Sequence, residues 1–334
     1  MADVTLRQLE LFAALPDHDT LSAAAVSLHI SESALSQAIT SLEKTVGEQL
    51  CVRRKARGLA LTPAGQHFAV QARRILADTR ELVLDARRGD ELRGPVKLGC
   101  FASFATSIVP ALLDGFPRRH PGVDLEITVG TNDDLLPALD SGRLDVAIMY
   151  DMFLPVGYSR REIYATELQA HLHPDHPLAS RDAVDLADLA DEPLIHYEAS
   201  PSTVNTVQAF AARGLAPTIA ARVPQIILVE ALVGRGVGYG LLMSRPNVQP
   251  ASVEGLPVAV RPLDPPATRT HVVAIWPEDM ALTPRAAALL DYAVEKLGSY
   301  GRPEAHDGAS PARAAGPPAA GEPAPPPEGA PPLL

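Results

Sequence analysis

Apolar residues recur at helical spacing along the first part of the chain. Leu6, Leu9, Phe12 and Ala13 mark one short helix, residues 16–20 break the pattern, and it resumes over 21–26 as LSAAAV. Ile30-Ser31-Glu32-Ser33 then offers a small polar cap for a third helix, whose apolar positions Leu35, Ile39, Leu42 and Val46 are spaced 4, 3 and 4 apart. The face between them carries Ser33, Ser36, Gln37, Thr40 and Lys44. Residues 53–65, RRKARGLALTPAG, read as a basic hairpin turning at Gly58 and ending where Thr62 caps a helix with Pro63 at its first position. Residues 63–88 then predict one long helix, with Phe68, Ala72, Ile75, Thr79, Leu82 and Ala86 alternating by 4 and 3 as a heptad seam. Such a helix outlasts a small domain, which points to dimerisation; packing on its own domain is the alternative.

After Arg88 the pattern changes. Residues 89–95, GDELRGP, form a polar hinge, and an α/β alternation follows: strand 96–99, helix 108–118, strand 123–129, helix 133–139 and strand 146–149. The theme repeats with strands 165–173 and 194–196, helices 203–213 and 226–234 and strand 237–243, then closes with strand 269–276 and helix 284–297. Alternation of this kind predicts a parallel sheet with helices on its faces and ligands at the carboxyl ends of the strands. Two lobes with a cleft between them are expected. From Gly301 onward 24 of 34 residues are Pro, Ala or Gly, too few large apolar groups for a core, so a disordered tail is expected.

Composition narrows the class. The 334 residues are 46% hydrophobic and 21% charged, which excludes wholesale disorder and suits two or three domains. Cys51 and Cys100 are the two cysteines, so a disulfide framework is excluded and a reducing compartment expected. No run of about 18 uncharged apolar residues occurs, and the first ten residues carry Asp3 and Glu10 where an export signal is basic. A cytoplasmic protein with no membrane partner is expected. The net charge of -11 argues against nucleic acid until it is divided: residues 1–90 hold 11 basic against 11 acidic side chains, and residues 44–74 hold seven basic against one acidic. That stretch is an electrostatic footprint for a polyanion.

A helix, a tight turn and a second helix with a hydroxyl, amide and cationic face suit the DNA major groove, because those groups pair with base edges. Ser33, Ser36, Gln37 and Thr40 are therefore the candidate groove contacts, and Arg53, Arg54 and Arg57 on the hairpin the candidate phosphate contacts. An ordinary helical pair with a solvated face fits the same pattern. In the α/β part, loops that leave strands and open helices present unpaired N–H groups to an anion. Ser103 follows the first strand, Thr131 with Asn132 precedes the helix at Asp133, Ser202 precedes the helix at Thr203, and Tyr150 ends a strand that forms one cleft wall. These five are candidate effector contacts for a carboxylate-bearing metabolite, against the plainer reading that they only cap helices.

Other motifs carry less. His171, His173 and His176, spaced by 2 and 3 beside Pro174 and Pro177, suit neither a helical ligand pair nor a zinc knuckle, so no metal is expected. Residues 234–240, GRGVGYG, run from helix to strand, the reverse of a dinucleotide fingerprint, so no cofactor is expected. Cys51 and Cys100 fall in different domains, which argues against an intramolecular disulfide sensor. No P-loop, G-x-S-x-G elbow or H-E-x-x-H occurs, so an enzyme is not expected.

Taken together, Leu6-Arg7-Gln8-Leu9 with Phe12, Ser22-Ala23-Ala24-Ala25, residues 31–43 (SESALSQAITSLE), Leu50 with Arg53-Arg54, and Leu61-Thr62-Pro63-Ala64-Gly65 resemble the winged helix-turn-helix of LysR-type bacterial transcriptional regulators. Val109-Pro110, Phe116-Pro117, Pro121-Gly122-Val123, residues 139–148 (LDSGRLDVAI), His176-Pro177-Leu178-Ala179 and Gly236-Val237-Gly238 extend the resemblance to about residue 298. It implies an overall α/β chain: an all-α winged helix-turn-helix over 1–62, a linker and dimerisation helix over 63–90, and a two-lobed, periplasmic-binding-protein-like effector domain over 91–300. Lobe I covers about 91–163 and 266–300, lobe II about 164–265, and the tail 301–334. It further implies promoter DNA as partner, a homodimer or homotetramer, and a small-molecule effector. Three positions depart from the family pattern: Glu32 stands where Gln is usual, Cys51 where Phe is usual, and Met243-Ser244 where a Pro follows the glycine-rich loop.

Overall fold

Capping residues set the three N-terminal helices. Thr5, Thr20 and Ser31 precede α1 (Leu6–Ala13), α2 (Leu21–Ser27) and α3 (Glu32–Val46), and each hydroxyl accepts from a backbone N–H three residues on, at 3.2, 3.1 and 3.1 Å. α3 ends at Gly47, whose φ of 78° suits glycine. Glu43 then steers the chain: its Oε1 accepts from the N–H groups of Leu50 and Cys51 at 2.8 and 2.9 Å. This delivers the backbone into an antiparallel hairpin, β1 (Cys51–Arg54) and β2 (Gly58–Leu61). Phe12, Leu15, Leu35, Leu42 and Leu50 fill the space beneath, each buried side chain contributing roughly 1.5–3 kcal/mol.

The computed structural model describes residues 4–54, 58–86, 92–246 and 250–300. The expected contact at Arg57, the end of the expected 63–88 helix and the expected tail over 301–334 lie outside the described residues.

Thr62 opens α4 (Pro63–Ala86) by accepting from the Gly65 N–H at 3.0 Å while donating to the Gln49 carbonyl at 2.8 Å. Phe68, Ala69, Ala72 and Leu76 turn towards α1, where Phe68 meets Phe12 edge-on at 5.3 Å and Ala72 and Leu76 pack with Leu9 and Ala13. The expected heptad seam therefore divides. Phe68 and Ala72 are used within the chain, whereas Ile75 and Leu82 stay 47% and 70% exposed.

The remainder runs β3 (Gly94–Phe101), α5 (Ala102–Arg119), β4 (Val123–Gly130), α6 (Asn132–Asp140), β5 (Val146–Tyr150), β6 (Tyr158–Leu172), β7 (Pro193–Tyr197), α7 (Ser202–Ala211), β8 (Thr218–Val223), α8 (Ile226–Gly234), β9 (Gly240–Met243), β10 (Ala259–Pro262), β11 (Arg269–Pro277) and α9 (Pro284–Leu297). In the first lobe β4, β3 and β5 are parallel neighbours, and β11 joins β5 antiparallel. β6 pairs with β11 from Tyr158 opposite Pro277 to Glu167 opposite Arg269, then continues between β9 and β10. One long strand thus runs through both lobes. β7 and β8 form a parallel pair in the second lobe, and Leu194 of β7 bridges to Tyr239.

Several expectations change. The sheet is mixed, because β11 and β6 return antiparallel alongside the parallel core. β6 begins at Tyr158 rather than 165: its charged start, YSRREIY, reads as loop, yet pairing with β11 satisfies its backbone. The 237–243 strand begins at Gly240. α5 starts directly at the end of β3, so Ser103 lies inside its first turn instead of in a loop. Asn132 and Ser202 are likewise the first helical residues of α6 and α7, with Thr131 and Pro201 at the preceding cap positions.

Candidate nucleic-acid face and ligand cleft

The alternation of α3 buries Leu35, Ile39 and Leu42 and leaves Ser33, Gln37 and Thr40 exposed on the opposite side, with Ser36 half-buried between them. Local bonds tie part of this face: the Ser33 and Ser31 hydroxyls lie 3.0 Å apart, and Thr40 Oγ1 donates to the Ser36 carbonyl at 2.9 Å. Gln37 is the exposed amide among them, able to donate and accept in one plane. Arg53 and Arg54 fall on the hairpin, their backbones opposite Leu59 and Gly58.

Two members of the basic stretch are engaged elsewhere. Arg73 donates to Asp17 at 2.9 Å and to the Ser141 carbonyl at 3.2 Å, and Arg74 grips both oxygens of Asp279 at 2.5 and 3.1 Å. Further along α4, Glu81 meets the largely buried Arg285, which also donates to the Pro95 carbonyl at 2.5 Å. These contacts fasten α4 to the first lobe.

Where the lobes meet, Ser103, Tyr150 and Ser202 line one small cavity of about 10 Å³, room for about one water molecule. Ser103 Oγ and Tyr150 Oη lie 2.9 Å apart, both fully buried. Burial pushes the Tyr150 hydroxyl well above the ordinary tyrosine range, so it stays protonated and can donate. Asn132 sits outside this lining but reaches across the lobes: its N–H donates to the Ser200 carbonyl at 3.3 Å, and its buried Oδ1 has no partner. Thr131 is different. Its N–H and Oγ1 both donate to Asp134 Oδ2, each at 2.9 Å, so it serves a capping box.

Residues that the sequence reading passed over complete the junction. Asn205 and Thr206 lie one turn beyond Ser202 on α7 and line the same cavity, and Asn205 Oδ1 accepts from Thr268 at 3.0 Å. Polar residues at spacings of 3 and 4 from Ser202 were the available signal. Arg245 is the other: Nη1 reaches the Ser103 carbonyl at 3.4 Å and Nη2 is ion-paired with Glu230, both side chains largely buried.

Of the three histidines in the 171–176 stretch, His173 and His176 use Nδ1 to accept from the N–H groups of Asp175 and Leu178, at 3.2 and 3.1 Å. His171 faces a different cavity, and burial with the Arg245 charge holds its pKa down to about 3. Among the described residues no group of three or more His, Cys, Asp or Glu side chains could hold a metal ion, and no helix is long and apolar enough to cross a membrane.

Residues 6–66 match the bacterial regulatory helix-turn-helix protein, lysR family, and residues 89–298 match the LysR substrate binding domain. The chain belongs to the LysR family. This LysR-family transcriptional regulator is 31% identical to the crystal structure of HinK, a LysR family transcriptional regulator from Pseudomonas aeruginosa. That likeness covers 89% of this chain and 100% of HinK with a TM-score of 0.59. It is also 33% identical over 193 residues to a probable hydrogen peroxide-inducible genes activator of Mycobacterium avium, and 29% over 196 residues to a hydrogen peroxide-inducible genes activator of Pectobacterium carotovorum subsp. carotovorum. Those alignments span 57% and 58% of the LysR-family regulator, and 61% and 65% of the two activators, less than two thirds of either relative.

Proposed function

We propose that this LysR-family regulator binds promoter DNA as a homodimer or homotetramer and changes its grip when a small metabolite enters the cleft between the lobes. The observation that carries the effector reading is the cluster of Ser103, Tyr150 and Ser202, polar side chains gathered where two lobes close on each other. Buried hydroxyls are costly without partners and supply directional bonds to a ligand that parts the lobes. Asn132, with its unpartnered Oδ1 and its bond across the lobes, would report closure, and Thr131 would hold the α6 turn beside it. The first-turn N–H groups of α5 and α7 favour a carboxylate-bearing effector.

Ser33, Ser36, Gln37 and Thr40 would enter the major groove while Arg53, Arg54 and Arg57 hold phosphates. In this reading residues 1–62 bind DNA, 63–90 link and dimerise, and 91–300 sense, with lobe II at about 164–265. Uncovered Ile75 and Leu82 on α4, together with Leu113 on α5 and Ile227 and Leu228 on α8, supply apolar surface for self-association.

The peroxide relatives do not supply the signal. Cys100 is fully buried and burial pushes its thiol up to about 12, while Cys51 is buried in the DNA-binding core, so neither offers the exposed thiolate that oxidation requires.

The test has two arms. Arg53→Ala should weaken binding to every duplex and reduce the salt slope by about one, whereas Gln37→Ala should alter sequence preference; wild-type behaviour in both would place the interface elsewhere. A thermal-shift series of the full chain with small organic and aromatic carboxylates should give a dose-dependent rise that Ser103→Ala diminishes without loss of basal DNA binding. A rise that Ser103→Ala leaves intact would move the effector site out of the cleft.

A further inference from the structure

The second lobe holds another cavity, of about 250 Å³, which adjoins the cleft at Met243 and Arg245 but contains none of the five candidate effector residues. Strand alternation explains its position: Leu168, Ala170 and Leu172 of β6 enter the main core, so Gln169 and His171 point to the opposite face, towards this cavity. Val258 and Val260 form an aliphatic wall, and Glu230 from α8 and Arg245 from the segment after β9 form a charged one. An engineered cavity of about 150 Å³ accommodates benzene, so this one has room for a molecule of roughly ten non-hydrogen atoms.

The charged wall determines what fits. Arg245 and Glu230 are 5% and 12% exposed, and a buried pair of this kind needs further hydrogen bonds to offset its desolvation. Among the described residues Arg245 donates to Glu230 and to the Ser103 carbonyl; a guanidinium carries five N–H donors and a carboxylate accepts several bonds in total. His171 beside them is neutral, with a buried Nδ1 that has no partner. A simple carboxylate placed here is attracted by Arg245 and repelled by Glu230, and a simple amine meets the reverse. A molecule bearing both charged groups on one carbon satisfies both walls.

We propose that this cavity is a second small-molecule site that takes an aliphatic α-amino acid as its zwitterion, with the carboxylate on Arg245, the ammonium on Glu230 and the side chain against Val258 and Val260. Because Arg245 also reaches the Ser103 carbonyl at the start of α5, the occupant bears on the group that links the two lobes.

Calorimetric titration of the full chain tests this with L-leucine, 4-methylpentanoate, which lacks the ammonium, and 3-methylbutylamine, which lacks the carboxylate. Saturable binding of L-leucine, at least tenfold tighter than either half, is expected. Glu230→Gln should weaken L-leucine at least tenfold while leaving 4-methylpentanoate no weaker, since the repulsion is gone. Val258→Trp, which fills the cavity, should abolish L-leucine binding, and Ser202→Ala in the cleft should leave it unchanged. The proposal fails if L-leucine does not bind, if either half binds as well as the whole, or if Glu230→Gln has no effect. Loss on Ser202→Ala with retention on Val258→Trp would assign the amino acid to the cleft and overturn the second site, whereas failure of carboxylates to act through Ser103 bears only on the cleft.

Discussion

The Asp134 carboxylate closes the first turn of α6 by accepting from both the N–H and the hydroxyl of Thr131, and those bonds, the backbone one first, hold its pKa below the ordinary carboxylate range. A group whose folded pKa is depressed stabilises the fold above its unfolded pKa and loses that contribution as pH falls through the folded value. Asp134→Ala is therefore expected to cost about 0.5–1 kcal/mol at pH 7, in the range for a helix cap, and progressively less as the pH drops below about 4. Urea melts of both proteins at pH 7 and pH 3 check this; an equal deficit at both values would show that the carboxylate charge is not what caps the helix. The same residue shows what a sequence leaves out at Thr131: a hydroxyl before a helix is visible in the chain, but that its proton goes to Asp134 is not. Arg73 and Arg74 teach a similar lesson. Their charges count towards a basic stretch, yet Asp17 and Asp279, far away in the chain, draw both guanidinium groups into ion pairs within the fold.

At the scale of elements, the junction of the hairpin and α4 is closely fitted. Thr62 and Gly65 both address the 49–50 backbone: the Thr62 hydroxyl donates to the Gln49 carbonyl, and a Cβ on Gly65 would run into the Leu50 carbonyl oxygen. Gly65→Ala should therefore push α4 away from the hairpin and destabilise the N-terminal part by about 1–3 kcal/mol, the usual range for overpacking. Thermal unfolding checks it, and a wild-type midpoint would mean that the junction relaxes without cost. The cap itself was readable because Thr62 accepts from the Gly65 N–H three residues on, whereas the contacts of Thr62 and Gly65 with the 49–50 backbone reach back across the hairpin and leave no local signal. The second half of α4 was less readable, since a 4-and-3 spacing names an apolar stripe without naming its partner. Leu9 and Ala13 claim part of that stripe, which the heptad rule alone does not foresee.

For the whole molecule, Arg73, Arg74 and the Glu81–Arg285 pair fasten α4 to the first lobe, while β6 carries the backbone from that lobe into the second. A change of lobe closure therefore has a mechanical route to α4, and under the proposed function it would shift DNA affinity only as far as an effector binds the two arrangements differently. The uncovered Ile75 and Leu82 are expected to be buried between copies. Ile75→Glu combined with Leu82→Glu should lower the sedimentation coefficient to that of a monomer and cut DNA affinity, because two half-sites are no longer held together. An unchanged oligomer would move self-association to the lobes.

Periodicity, capping and charge distribution act over a few residues, and they suffice to determine the helix-turn-helix, the basic hairpin, the linker helix and the α/β character of the rest. Ser103, Tyr150 and Ser202 were found as candidates because each stands at the end of a strand or the start of a helix. Their meeting in one cavity, and the arrival of Arg245 at the Ser103 carbonyl, depend on how two lobes joined through β6 close on each other. Only the tertiary structure decides that, because contacts between residues as far apart in the chain as Ser103 and Arg245 follow from the packing of whole elements and leave no spacing in the chain to be read.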